Sequence, residues 1–99
     1  MKKTIVGITV VGKDREGVVA QFTNFVFQNN ANVEKVNQNV IKGLFGMYLE
    51  VSFTSKINFK KLDTGLQKLG KKLRMEVSTH SEPIRKKVLA YLLPRRNTA

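Results

Sequence analysis

The 99-residue chain contains no cysteine and no tryptophan, only two prolines, and seven acidic residues against eighteen basic ones. The absence of cysteine excludes a disulfide framework, a thiol nucleophile and a metal site built on thiolates. No apolar run approaches the roughly 18 residues of a membrane span, and Lys13 and Asp14 interrupt the N-terminal segment too early for a signal peptide. We therefore expect a cytoplasmic protein with no membrane association.

The length fits one domain with a thin hydrophobic core, and such a domain gains stability from a partner subunit. The net charge of +11 is unevenly distributed along the chain. Residues 1–54 carry six basic and four acidic residues, net +2, whereas residues 55–99 carry twelve basic and three acidic residues, net +9. Such a field attracts anionic ligands and polyanions without identifying them. A solvated surface is the alternative interpretation.

Hydrophobic periodicity predicts six elements in the order β-α-β-β-α-β. Strands are predicted at residues 4–11, 33–42, 45–53 and 74–80, and helices at residues 17–30 and 58–73. The first strand is apolar on both faces, which is typical of a central strand. Asn58 is the predicted N-cap of the second helix, and Gly43 is predicted to supply the positive φ of a hairpin turn. Asparagines at 29, 30 and 32 are predicted to end the first helix.

Each predicted helix has a single apolar stripe, so both helices must cover the same face of the sheet. This arrangement is an α+β fold, a ferredoxin-like sandwich with an antiparallel four-stranded sheet and one open face. Ile84, Val88 and Leu92 follow Pro83 at helical spacing and predict a short C-terminal helix. We expect one domain, in which residues 1–80 form the sandwich and residues 81–99 add this helix and a basic tail. The C-terminal helix is expected either to cover the open face or to contact a neighbouring subunit.

Two segments carry a resemblance to a known family. Ile8–Ala20, a strand that passes through a polar glycine-bracketed loop into an apolar helix, resembles the signature that opens ACT domains. Asn30–Val33 resembles the family's second landmark, an Asn-aliphatic pair that opens the second strand. The resemblance covers roughly residues 4–80 in element order. It is closest to small stand-alone ACT proteins, which are similar to a glycine-cleavage repressor and to the amino-terminal domain of formyltetrahydrofolate deformylases.

The resemblance implies a regulatory domain that binds an amino acid or another small anionic metabolite, as a homodimer or higher homo-oligomer. It places the ligand between the first loop and helix start of one subunit and the second strand of its neighbour. The implied ligand-binding residues are Asp14, Arg15, Gly17, Val18 and Asn32. Elementary chemistry agrees, because the free N–H groups at Gly17 can meet a carboxylate and Asp14 can accept an ammonium group. Asp14 and Asn32 also favour turns and caps on their own.

A basic nucleic-acid-binding module with the same element order is the rival interpretation. Such modules stack bases on aromatic side chains of the open sheet face. Here the alternation directs Phe45 and Phe53 toward the helices, and only Tyr48 faces outward, next to Glu50. Stacking is therefore not expected. Phosphate binding by the lysines of the second helix stays open as an alternative, with a solvated helix face as the simpler explanation. These lysines are Lys60, Lys61, Lys68, Lys71 and Lys72.

Enzymatic activity is not expected from this sequence. General acid–base catalysis needs a paired, perturbed group in a cleft, and the single histidine, His80, has only Glu76 and Glu82 as nearby carboxylates in the chain. Phosphate-binding and nucleophile-elbow motifs are absent. We expect no catalytic residue, no metal site and no cofactor.

Overall fold

The computed structural model describes residues 3–81 and confirms the predicted order of six elements. The strands are β1 (Thr4–Lys13), β2 (Asn32–Ile41), β3 (Leu44–Phe53) and β4 (Met75–His80), and the helices are α1 (Val18–Gln28) and α2 (Phe59–Leu73). The four strands form one antiparallel sheet in the order β2-β3-β1-β4. This is the predicted ferredoxin-like arrangement. The predicted C-terminal helix lies outside the described residues.

Strand β1 occupies an interior position in the sheet, as its apolar residues on both faces predict. It pairs with β3 from Thr4, opposite Phe53, to Lys13, opposite Leu44. The strand is therefore two residues longer than the pattern indicated. Gly12 was expected in the loop, but it is held in the ladder because β3 pairs with it on one side and Met75 of β4 on the other.

The core lies between the helices and one face of the sheet. Phe22 of α1 and Leu66 of α2 are fully buried against the even-numbered residues of β1 and the odd-numbered residues of β3. The sheet side of this core consists of Val6, Ile8, Val10, Phe45, Met47, Leu49, Val51, Phe53, Met75 and Val77. Helix α2 approaches β4 closely at Gly70, where an added Cβ would lie 2.6 Å from Cγ2 of Val77.

The predicted turns and caps are in place. The side chain of Asn58 accepts a hydrogen bond from the backbone N–H of Lys61 at 3.1 Å and so caps α2. Asn30 takes the left-handed conformation after α1, with φ 63°, and Gly43 has φ 81° in the hairpin turn between β2 and β3. These local conformations explain where α1 ends, where α2 begins and where β2 turns into β3.

Helix α1 leaves much of edge strand β2 uncovered. Val36 and Val40 point to the helix side of the sheet, yet 43% and 49% of their surfaces stay exposed. Val33 is exposed to the same extent, and Phe27 of α1 beside it is 74% exposed. Among the described residues, no strand pairs with the outer side of β2, and the flank of this strand is apolar. We call this surface the β2 edge (Phe27, Val33, Val36 and Val40).

The opposite sheet face carries neither helix. Tyr48 lies on it, as the alternation predicts, and so does Glu50. We expected this face to be open to solvent. Instead, only 2% of the surface of Tyr48 and 2% of that of Glu50 is exposed. Their burial corrects the prediction that this face is open and that the ring of Tyr48 is exposed on it.

Candidate functional site

The loop between β1 and α1 leads into an uncapped helix start. Gly17 is the N-cap residue with φ 81° and ψ 2°, a conformation that favours glycine. Within residues 3–81, no side-chain hydrogen bond caps the first turn of α1, so its first N–H groups are available to an anion. Among the described residues, no atom lies within 4 Å of the position that a Cβ of Gly17 would take. A ligand can therefore approach the backbone here without displacing the protein.

Val18 and Asp14 contribute to this site in different ways. The side chain of Val18 is buried in the core, with 2% of its surface exposed, so Val18 can offer a ligand only its backbone N–H. Asp14 is exposed, and its own N–H donates to the carbonyl oxygen of Gly43 at 2.8 Å. This bond joins the β1–α1 loop to the β2–β3 turn and leaves the Asp14 carboxylate at the surface.

Arg15 joins the loop to the far end of α2. Its Nη1 donates to the carbonyl oxygen of Leu73, the last residue of that helix, at 3.3 Å. A cavity of about 530 Å³ lies at this junction. Its lining residues are Lys13, Asp14, Arg15, Lys72, Leu73 and Arg74. Four cations and one carboxylate give this basic pocket a formal charge of +3, which favours an anionic ligand.

Sequence reasoning did not assign Lys72 and Arg74 to the site. In the sequence pattern Lys72 is one of several lysines on a solvated helix face, and no motif contains Arg74. Both lie at the C-terminus of α2, where cations also complement the partial negative charge of the helix end. The dense basic sequence around residues 71–74 was the available signal, but only the tertiary contact of Arg15 with Leu73 places it beside the loop.

Asn32 lies at the opposite end of the sheet from the other predicted site residues. It pairs with Ser52, whereas Lys13, next to Asp14, pairs with Leu44. Eight residues of β3 separate these two positions, which corresponds to roughly 26 Å. A single chain therefore brings together Asp14, Arg15, Gly17 and the N–H of Val18, but it does not bring Asn32 to them.

A carboxylate with a lowered pKa lies near Asn32. Glu34 accepts a hydrogen bond from the hydroxyl of Ser52 at 2.5 Å and lies 3.5 Å from Nζ of Lys3. The hydrogen bond from Ser52 is the main cause that lowers the pKa of Glu34 below 4.5, and the charge of Lys3 adds to it. The pair register shifts between Val33 and Lys35, so these contacts anchor the irregular start of β2.

The rival interpretations find little structural support within residues 3–81. The buried Tyr48 cannot stack on a base. The lysines of α2 are exposed, as a solvated helix face requires. No group of three His, Asp or Glu side chains suited to a metal ion occurs in this part of the chain. Neither described helix has the length and apolarity needed to cross a membrane.

Comparison with known proteins agrees with the fold described above. A sequence model of the ACT domain matches residues 4–80. The UPF0237 protein of Methanococcus maripaludis is 39% identical over 79 residues, which span 78% of this chain and 87% of that protein. An ACT domain protein from Streptococcus pneumoniae superposes with a TM-score of 0.74 at 29% identity, over 79% of this chain and 89% of that one.

Two larger proteins contain the same fold. A putative glycine cleavage system transcriptional repressor superposes with a TM-score of 0.74 at 21% identity, over 81% of this chain and 48% of its own. Formyltetrahydrofolate deformylase from Burkholderia mallei superposes with a TM-score of 0.72 at 14% identity, over 79% of this chain and 28% of the enzyme. The predicted family resemblance is confirmed: this chain belongs to the ACT-domain family.

Proposed function

We propose that the protein is a regulatory domain that binds an amino acid or a similar small anionic metabolite between the two subunits of a homodimer. The observation that carries this proposal is the uncapped start of α1 at Gly17, which faces open space beside the carboxylate of Asp14. Family membership supports a regulatory rather than a catalytic role.

The chemistry of the loop suits a zwitterion with additional negative charge. The ligand carboxylate would accept hydrogen bonds from the first N–H groups of α1, where the helix dipole also favours an anion. The exposed carboxylate of Asp14 would accept the ammonium group. The basic pocket that contains Arg15 and Lys72 lies next to the loop and would favour an acidic side chain on the ligand.

The β2 edge provides the surface for the second subunit. Two copies of β2 that pair antiparallel across a two-fold axis place the start of one strand beside the end of the other. Asn32 of the second copy would then lie beside the last residues of β2, which lead into the turn at Gly43. Because Asp14 continues β1 and β3 lies between β1 and β2, Asn32 of the second copy comes within about three strand spacings of Asp14, roughly 14 Å. A small ligand and two side chains can span this gap.

A thermal-shift screen of the amino acids tests the proposal. We expect at least one amino acid to raise the melting temperature, because a ligand that binds only the folded state stabilises it. Asp14→Ala and Asn32→Ala should each abolish the shift while the ligand-free melting temperature stays close to that of the wild type. A shift given only by an oligonucleotide, and lost at high salt, would support the rival nucleic-acid interpretation instead.

Mixing the two variants tests whether the site is shared between subunits. A heterodimer of an Asp14→Ala chain and an Asn32→Ala chain has one site with both residues changed and one site with both residues intact. Random exchange makes about half of the dimers mixed and so restores about a quarter of the wild-type sites. The matched control mixes Asp14→Ala with a Gly17→Ala, Asp14→Ala chain, which cannot form an intact site. If the first mixture binds no ligand, the shared-site proposal is wrong.

A further inference from the structure

The basic pocket lies where the end of β1, the β1–α1 loop and the end of α2 meet. Lys13 directly follows, and Arg74 directly precedes, the terminal paired rung of β1 and β4, so these two cations lie on adjacent segments. The guanidinium of Arg15 reaches the same point from the loop, where it donates to the carbonyl oxygen of Leu73 at 3.3 Å. All the lining residues belong to one chain, so the pocket does not depend on a second copy.

Within residues 3–81, the cations of the basic pocket have no carboxylate partner. None of the four forms an ion pair there, although Asp14 lines the same cavity. Like charges on neighbouring segments repel one another and destabilise the fold. Cations do favour the end of α2, where the helix dipole is negative, but Lys13 and Arg15 come from β1 and the loop. The helix end therefore does not explain all of the positive charge at this junction.

Arg74 holds an unfavourable backbone conformation in the lining of the pocket. It follows the last turn of α2 with φ 59° and ψ 44°, a left-handed conformation that glycine adopts without a steric penalty. For a residue with a Cβ, this conformation raises the free energy of the folded chain. Backbone strain of this kind clusters at ligand-binding positions. A glycine at position 74 would relieve the strain, but it would also remove a cation from the pocket.

The charge and the volume of the basic pocket indicate the class of its ligand. One side-chain carboxylate neutralises only part of the formal charge of +3. A phosphate group carries about −1.5 to −2 at neutral pH and presents three acceptor oxygens. Arg15 gives one N–H to Leu73 and keeps further N–H groups, whose planar arrangement suits phosphate oxygens. A cavity of about 530 Å³ has the size of a small-molecule site, so it has space for a diphosphate and the group that carries it.

We propose that the basic pocket binds a phosphorylated metabolite with two or more negative charges, of the diphosphate-ester class. Arg15 and Arg74 donate to the phosphate oxygens, and Lys13 and Lys72 offset the remaining charge. This site needs neither an amino acid at Gly17 nor a second subunit, so it stands independently of the function proposed above. It gives the domain a second ligand of different chemistry. An amino acid with an acidic side chain, bound at Gly17, would compete for the same cations.

Isothermal titration calorimetry with pyrophosphate tests the proposal on the full chain, without added metal ions or amino acids. We expect one pyrophosphate per chain, because all the lining residues come from one chain. Arg74→Gly should raise the Kd about tenfold, the loss expected for one charged hydrogen bond. The same variant should melt a few degrees higher than the wild type, because the backbone strain is relieved. Weaker binding by a more stable protein cannot be attributed to unfolding.

Lys42→Gly is the matched control for this variant. Lys42 is also an exposed cation with a positive φ, 50°, but it lies in the β2–β3 turn and does not line the pocket. The substitution removes the same charge and relieves the same kind of strain. It should leave the Kd for pyrophosphate within about twofold of the wild-type value, since salt screens a charge that does not touch the ligand.

A second pair of variants repeats the test within α2. Lys72→Gln should weaken pyrophosphate binding several-fold, whereas Lys61→Gln, near the other end of the helix and outside the pocket, should not. Citrate carries a similar charge on carboxylates and should bind more weakly than pyrophosphate. The absence of pyrophosphate binding, equal binding of citrate, or equal losses of affinity in the two members of each matched pair would overturn the proposal.

Two further ligands distinguish the possible sources of the phosphate group. ADP, a diphosphate ester, should bind at least as tightly as pyrophosphate, and binding of the inorganic ion alone would overturn the assignment to an ester. A single-stranded oligonucleotide should bind more weakly than ADP. If it binds more tightly, and loses affinity equally in Lys61→Gln and Lys72→Gln, these lysines form a surface for a polyanion and the proposed pocket is wrong.

Discussion

The double variant Val36→Lys, Val40→Lys should separate the proposed dimer. Val36 keeps 43% of its surface exposed and Val40 keeps 49%. Full burial of a valine side chain contributes roughly 1.5–2 kcal/mol, so covering the exposed half of each contributes about 0.8 kcal/mol. In a two-fold interface each residue counts twice, and the four valines together contribute about 3 kcal/mol. Because 1.4 kcal/mol corresponds to a tenfold change, the dimer Kd should rise at least about a hundredfold.

Sedimentation velocity over a concentration series measures this change directly. The matched control is Val11→Lys, because Val11 is a partly exposed valine of similar exposure (38%) in an interior strand with no free edge. The control should leave the Kd within a few-fold of the wild-type value, since lysine disfavours pairing only on an edge. A double variant that still dimerises with the wild-type Kd refutes the assignment of the β2 edge as the interface. A wild-type protein that is monomeric at micromolar concentration refutes the dimer itself.

Three further predictions concern the described fold. Gly70→Ala should lower the free energy of unfolding by about 1–3 kcal/mol in a urea titration, because its Cβ would lie 2.6 Å from Val77; no loss would show that α2 and β4 can separate freely. Asn58→Ala should lower the free energy of unfolding by about 1 kcal/mol, because the helix cap is lost. Asn58→Asp should keep the cap and the wild-type stability. Glu34→Gln should lower stability at pH values above 4.5, where the lowered pKa favours the folded state. The difference in the free energy of unfolding between wild type and Glu34→Gln should disappear as the pH falls below 4.5. A difference that stays constant down to strongly acidic pH would contradict the assigned role of Ser52.

The sequence pattern predicts the elements well, because each one contains its own signal. The alternation in β3 and the helical spacing in α2 define which residues face the core between sheet and helices, and the positive φ of Gly43 follows from local turn chemistry. The end of β1 could not be read in this way. Gly12 and Lys13 look like loop residues, and they are held in the strand by partners that lie more than thirty residues away. Strand length depends on the length of the neighbouring strand, which a local pattern does not contain.

The candidate site shows the same division between local and long-range information. The resemblance and the chemistry of a helix start identify Gly17 and Asp14, and the structure places both at one surface. The basic pocket was missed because it depends on Arg15 meeting the last carbonyl of α2, 58 residues further along the chain. The burial of Tyr48 was missed for a related reason. Alternation assigns a residue to a face of the sheet but cannot tell what else lies on that face.

The hydrogen bond from the N–H of Asp14 to the carbonyl of Gly43 connects the proposed ligand site to the proposed dimer surface. A ligand that orders the β1–α1 loop must also bias the turn at the end of β2, where the second subunit would attach. Thermodynamic reciprocity then makes the two effects equal. The factor by which the metabolite strengthens self-association is also the factor by which self-association strengthens metabolite binding. The domain would respond to its own abundance as well as to the metabolite, so cells that make more of it would detect lower metabolite levels.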